Sequence, residues 1–151
     1  MFQNFDCVNL LNGRTHNPHN RSLSPGGSSG GEGVSTAMRC APIGIGTDVG
    51  GSVRIPAGFC GSYGLRTTAL RNPFGGIVLA GAGHEGIRCI AGPLGNNTED
   101  LALFQKAILD QEPWEEETSL VPIPWRNVKP CQPGDITVGV IWEDGYVNSL
   151  L

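Results

Sequence analysis

Lysine is almost missing from this sequence. Only Lys106 and Lys129 occur in 151 residues, both well downstream of the glycine-rich stretches discussed below. No G-x-x-x-x-G-K-[ST] phosphate loop can therefore be assembled. With 10 basic and 14 acidic side chains the formal charge is -4, so there is no broad basic field and no DNA or RNA partner is expected. Long apolar runs are missing too. No stretch approaches the roughly 18 apolar residues that a membrane helix needs, and Met1 to Leu11 has no basic start followed by an apolar segment. The expectation is a cytoplasmic protein with no membrane anchor. Paired cysteines are the third absence: Cys7, Cys40, Cys60, Cys89 and Cys131 are odd in number, widely spaced and never C-x-x-C. That excludes a disulfide framework and a zinc ribbon, and leaves reduced, packed thiols.

Glycine is abundant instead, with 23 copies beside 11 prolines. Many of the glycines fall between Gly26 and Gly64, without collagen periodicity and with apolar residues interleaved, which describes a loop-rich folded segment. The length suits one domain, and residues 1–151 are read as one.

Asn17-Pro18-His19-Asn20 and Ser24-Pro25-Gly26-Gly27 are turn-forming, so the first 25 residues are expected to be an irregular approach. A short helix is expected from Gly30 until Pro42 stops the pattern, then a buried strand over Ile43 to Val49. A second short helix is expected around Pro56 to Ser62, since proline is tolerated in a first turn. The clearest helix covers Thr98 to Asp110, with Asn97 or Thr98 as cap, Glu99 and Asp100 at its positive end, and Leu101, Phe104 and Ile108 at helical spacing. A proline-rich surface connection is expected over about 112–133, with Trp114 and Trp125 as local anchors and Glu115 to Glu117 as a solvated charge run. Ile136 to Trp142, apolar at nearly every position, reads as a last strand covered on both faces in a mainly parallel sheet.

Chemistry concentrates in Ser24-Pro-Gly-Gly-Ser-Ser-Gly-Gly-Glu-Gly33 and Gly46-Thr-Asp-Val-Gly-Gly-Ser-Val-Arg-Ile-Pro56. Glycines allow backbone amides to crowd around a small group and let a side chain stand clear on a tight turn. Either stretch suits an oxyanion. A dinucleotide fingerprint should follow a hydrophobic strand, and polar Asn20 to Pro25 stands there instead. Gly27-Ser28-Ser29-Gly30-Gly31 matches the G-x-S-x-G elbow with Ser29 as nucleophile, but that elbow also needs a preceding buried strand and a later histidine base, and only His84 follows.

The order, spacing and identity of residues from about Asn17 to Leu101 resemble the amidase signature family. The matching phrases are the two glycine-rich stretches, Phe59-Cys-Gly61, Gly64-Leu65, Gly92-Pro-Leu94 and Glu99-Asp-Leu101. The lead-in Asn17 to Arg21 and the tail around Val138 to Gly145 look most like fungal acetamidase-type members. The resemblance implies an α/β fold, here an incomplete portion of the amidase signature fold with a mixed, mostly parallel sheet flanked by helices. It also implies hydrolysis of a small-molecule carboxamide through a serine acyl-enzyme.

The family's Ser-cisSer-Lys triad, carried over by motif, places the nucleophile at Ser52 and the relay serine at Ser28, with a cis peptide bond entering Ser28. It places the oxyanion donors at the amides of Val49, Gly50, Gly51 and Ser52, and supporting roles at Ser29, Thr47, Asp48 and Arg54. The triad's lysine stands in the family several dozen residues before the first serine, which falls ahead of Met1. Arg14 and Arg21 cannot replace it, because a guanidinium stays protonated. This chain by itself is therefore expected to be inactive. The alternatives are a catalytically dead remnant with a binding or structural role, and an amidotransferase subunit.

The remaining candidates point to structure. His16 and His19 are separated by Pro18 and have no third ligand group, so no metal and no cofactor are expected. Cys60 reads as a packed small residue rather than a nucleophile.

Overall fold

The computed structural model describes residues 5–78, 83, 85–129 and 131–140. The approach segment, expected to be irregular throughout, contains a small antiparallel pair, β1 (Val8–Asn9) with β2 (Gly13–Arg14). It closes through an Asx turn in which the amides of Leu11 and Asn12 donate to Asn9 Oδ1 at 3.0 and 2.7 Å. The segment is then pinned by Asn17. Its buried side chain donates to the carbonyls of Ser24 (3.2 Å) and Phe59 (2.8 Å) and accepts from the amide of His19.

Three elements follow in the expected places. Helix α1 covers Gly30–Ala37, strand β3 covers Ile43–Asp48, and helix α2 covers Arg54–Cys60. Helix α2 begins two residues earlier than Pro56 because Val53 and Arg54 already turn, placing the proline inside the first turn where its missing N–H costs nothing. It ends on Gly61, whose φ of +73° provides the left-handed residue that commonly terminates helices. Helices α1 and α2 pack closely across Gly33, where an added Cβ would lie 2.9 Å from the Cβ of Pro56. Even one methyl group would push these helices apart.

The sheet has a strand that local propensity conceals. Strand β4 (Tyr63–Gly64) and strand β5 (Ile90–Gly95) join β3 in the order β3-β5-β4, with β5 in the middle. Ile-Ala-Gly-Pro-Leu-Gly is poor in strand-forming residues and carries Pro93, which ordinarily argues against a central strand. Its burial makes the arrangement hold: Ile90 and Gly92 to Gly95 are buried, and Leu94 joins Val53 and Ala57 in the apolar core.

Two expectations about the sheet need correction. The pairings β3–β5 and β4–β5 are both antiparallel, in register Asp48↔Ile90 to Ile43↔Gly95 and Tyr63↔Gly95, so no parallel pairing occurs among the described residues. The α/β character stands, but strand direction follows which later segment returns beside β3, and that is decided by packing rather than by apolar content. The last strand, expected over 136–142, is not formed over 136–140, where Ile136, Val138 and Val140 are 55%, 76% and 71% exposed. A β-rich segment becomes a strand only when a neighbour takes its backbone hydrogen bonds, and none does so among the described residues. Residues 141 and 142 lie outside the described set, as does most of the tail motif.

Helix α3 covers Thr98–Leu109, capped by Asn97, whose Oδ1 accepts from the Asp100 amide at 2.7 Å. Its Leu101 and Leu109 are buried, and Gln105 donates to Asn72 Oδ1 at 2.6 Å. The proline-rich connection is irregular apart from single 3-10 turns at Pro113–Glu115 and Pro133–Asp135. Glu117 departs from the solvated role expected of it, because its Oε2 accepts from the amides of Phe74 and Gly75, both at 2.9 Å. Burial would raise this carboxyl, but those amides and Ser119 outweigh it and hold its pKa below the usual range.

Candidate active site

Both glycine-rich stretches meet at one place. Ser28 and Ser29 lie at the entrance to α1, with Ser29 as its N-cap, and Val49 to Ser52 form the turn between β3 and α2. The peptide bond Gly27–Ser28 is cis, as the family resemblance implies. The two stretches are joined by main chain: the amide of Ser29 donates to the carbonyl of Ser52 at 3.1 Å. The Ser29 hydroxyl bridges the amide (3.3 Å) and carbonyl (3.4 Å) of Thr47 on β3. Ser29 is therefore a fastener, which disposes of the G-x-S-x-G elbow. His84, the histidine considered for that elbow, lies outside the described residues.

The fastener has little room. A Cβ on Gly46 would stand 2.6 Å from Ser29 Oγ and 3.0 Å from Val53 Cγ2. Replacing Gly46 with alanine is expected to cost about 2 kcal/mol through overpacking, read as a lower urea midpoint at unchanged m-value.

Asp48 organises the turn from beneath. Its carboxylate is fully buried and accepts from the amides of Gly51 (2.7 Å) and Val53 (3.1 Å), the residues on either side of Ser52. Arg54 grips it side-on, with Nε to Oδ2 and Nη2 to Oδ1 both at 3.0 Å, a geometry that only a guanidinium offers. Burial alone would raise the Asp48 carboxyl, but the Arg54 hydrogen bonds and the two amides prevail and hold it below its ordinary value. Gly51 takes a φ of +130°, which L side chains rarely adopt, and this lets its amide turn to the carboxylate.

The oxyanion donors expected from the motif divide accordingly. The amide of Gly51 is committed to Asp48, whereas no hydrogen bond among the described residues engages the amides of Val49, Gly50 or Ser52. Val49 and Gly50 are exposed, and Ser28 and Ser52 are half-buried, open enough for a small molecule to approach.

Sequence reasoning missed Arg66, whose Nε lies 3.6 Å from Asp48 Oδ1 as a second cation on the same carboxylate. It follows the Gly64-Leu65 phrase, but nothing local in sequence connects it to Asp48. The two histidines considered as a metal pair hydrogen-bond to main-chain carbonyls, His16 Nδ1 with Arg21 at 2.7 Å and His19 Nε2 with Cys60 at 2.8 Å. Cys60 itself is buried, directs its thiol at the Pro25 carbonyl, and has its pKa raised by burial, the state of a packed residue.

Two serine-bearing stretches, fastened through Ser29 and carried by α1, β3 and α2, define a family: the chain belongs to the Amidase family, whose model matches residues 2–149. It is 46% identical over 124 residues to the acetamidase of Aspergillus oryzae, an alignment covering 82% of this chain and 23% of that protein. It is also 46% identical over 138 residues to a putative amidase of Schizosaccharomyces pombe, covering 91% and 26%. Among solved structures, a fatty acid amide hydrolase matches with a TM-score of 0.89 at 43% identity over 95% of this chain and 26% of its own. The chain thus spans about a quarter of the length of these relatives. No helix among the described residues is long and apolar enough to cross a membrane.

Proposed function

We propose that this chain carries the nucleophile and oxyanion turn of an amide hydrolase that works through a serine acyl-enzyme, with a small carboxamide as substrate. The observation carrying this reading is the turn Val49 to Ser52, held from below by buried Asp48 while three of its amides have no hydrogen-bond partner among the described residues. Ser52 is the nucleophile. As its Oγ attacks the amide carbonyl carbon, its proton passes to Ser28, and Ser28 passes its own to a neutral base. In this family that base is a lysine, carried ahead of the position matching Met1.

The carbonyl oxygen gains negative charge in the tetrahedral intermediate, and the amides of Val49, Gly50 and Ser52 are the donors available to it. Losing one such donor typically slows acyl transfer about 10²–10³-fold. The C–N bond then breaks, the amine leaves with a proton returned by Ser28, and water releases the carboxylic acid from Ser52. Thr47, Asp48, Arg54 and Ser29 hold the turn and take no part in proton transfer. Turnover requires that lysine as well as the two serines. A stoichiometric adduct requires the nucleophile in its turn, and Ser28 speeds its formation by relaying the proton.

A fluorophosphonate probe tests the assignment. Incubation with the chain, followed by digestion and mass spectrometry, is expected to place one adduct on Ser52. Ser52→Ala abolishes it and Ser28→Ala slows it by roughly 10²-fold, within the range of a lost proton relay. An adduct on Ser29, or on no serine, would overturn the reading.

A further inference from the structure

We propose that Arg66 is a positioning residue for the serine turn: it shares the buried Asp48 carboxylate with Arg54 and ties that carboxylate to the segment leading into β5. The inference rests on the reading of Val49 to Ser52 as the reactive turn.

Arg54 belongs to the turn's own helix, so its bidentate grip on Asp48 holds the turn only against itself. Arg66 reaches Asp48 from elsewhere. It follows β4, places Nε 3.6 Å from Asp48 Oδ1, and donates from Nη2 to the carbonyl of Arg88 at 3.2 Å. Arg88 stands two residues before Ile90, which faces Asp48 across the β3–β5 ladder. A single guanidinium therefore spans the end of β3, the exit of β4 and the entrance of β5.

At 3.6 Å the contact with Asp48 is an ion pair rather than a hydrogen bond, so its contribution is charge and not direction. The groups facing Asp48 are Arg54, Arg66 and Cys89, whose thiol lies beside Thr47 and the Asp48 main chain. Burial raises the Cys89 pKa, so it stays neutral. One anion and two cations leave the cluster with a net charge of about +1 behind the turn, the sign that favours a developing oxyanion. Arg66 has a side-chain exposure of 27% against 51% for Arg54, so water screens its charge less.

Three readouts on the intact chain test this. In Arg66→Gln the Asp48 carboxyl, followed by its ¹³C shift, is expected to titrate at higher pH than in wild type. The amides of Gly51 and Val53 should exchange with solvent roughly three- to tenfold faster, while α3 amides exchange at the wild-type rate. Arg66→Lys keeps the charge and is expected to restore the titration and most of the protection. The rate of fluorophosphonate attachment to Ser52 should fall by a similar factor in Arg66→Gln and recover in Arg66→Lys. An unchanged Asp48 titration overturns the proposal. So does equal acceleration of exchange in α3, which would make Arg66 an ordinary stabilising residue. If wild-type Ser52 takes no adduct, the hydrolase reading fails, and titration and exchange still decide whether Arg66 positions the turn.

Discussion

Asp48→Asn is expected to destabilise the chain by about 3 kcal/mol, the cost of removing one partner from a buried ion pair that also anchors two amides. The side chain is fully buried, and the substitution turns an NH₂ toward donors that now meet an oxygen. Arg54 is half exposed and can recover hydration, which keeps the loss at the lower end of the buried-pair range. Urea denaturation at neutral pH measures it. The pH dependence carries a sign. Because the folded carboxyl titrates below its ordinary value of 3.8, its contribution is fully present above that value and disappears as pH falls through the folded pKa. The gap between wild type and Asp48→Asn should therefore be constant from neutral pH down to about 5 and close only below 3.8. A gap that closed near pH 7 would show that Asp48 is not held ionised by its partners.

Leu94→Ala is expected to cost about 3 kcal/mol by a different route. Leu94 is fully buried in the middle strand and completes the core cluster with Val53, which directly follows Ser52, and Ala57 of α2. Removing its side chain loses the transfer free energy of the buried methyl groups and leaves a cavity beneath α2. The urea midpoint should fall with little change in m-value, since the same surface is exposed on unfolding. Ser52 labelling should persist in the folded fraction, because Asp48, Arg54 and Ser29 still hold the turn. Loss of labelling in a variant that remains folded would show that the turn depends on the core beneath it.

The local elements were largely legible. Helix α3 could be read from Asn97, two acids and a run of apolar residues at helical spacing, and β3 from its apolar residues between turn signals. Ser28, Ser29, Thr47, Asp48, Ser52 and Arg54 could be marked because glycine-rich turns expose side chains and because their order matches a family. Strand β5 escaped because Gly92 and Pro93 have no local reason to be extended. Ile136 to Val140 misled in the opposite sense, having every local reason to be a strand and no neighbour among the described residues to pair with.

What the sequence determined by itself was therefore the inventory: which residues are candidates for the chemistry, which segments turn and which coil. Those properties depend on neighbours a few positions apart. The tertiary structure alone decided that Gly51's amide serves Asp48 while those of Val49, Gly50 and Ser52 have no partner among the described residues, that Ser29 is a fastener, and that Arg66 reaches Asp48 from beyond β4. Each depends on a carboxylate, a hydroxyl or a guanidinium meeting a group far away in the chain, and such meetings are set by how the sheet and helices pack.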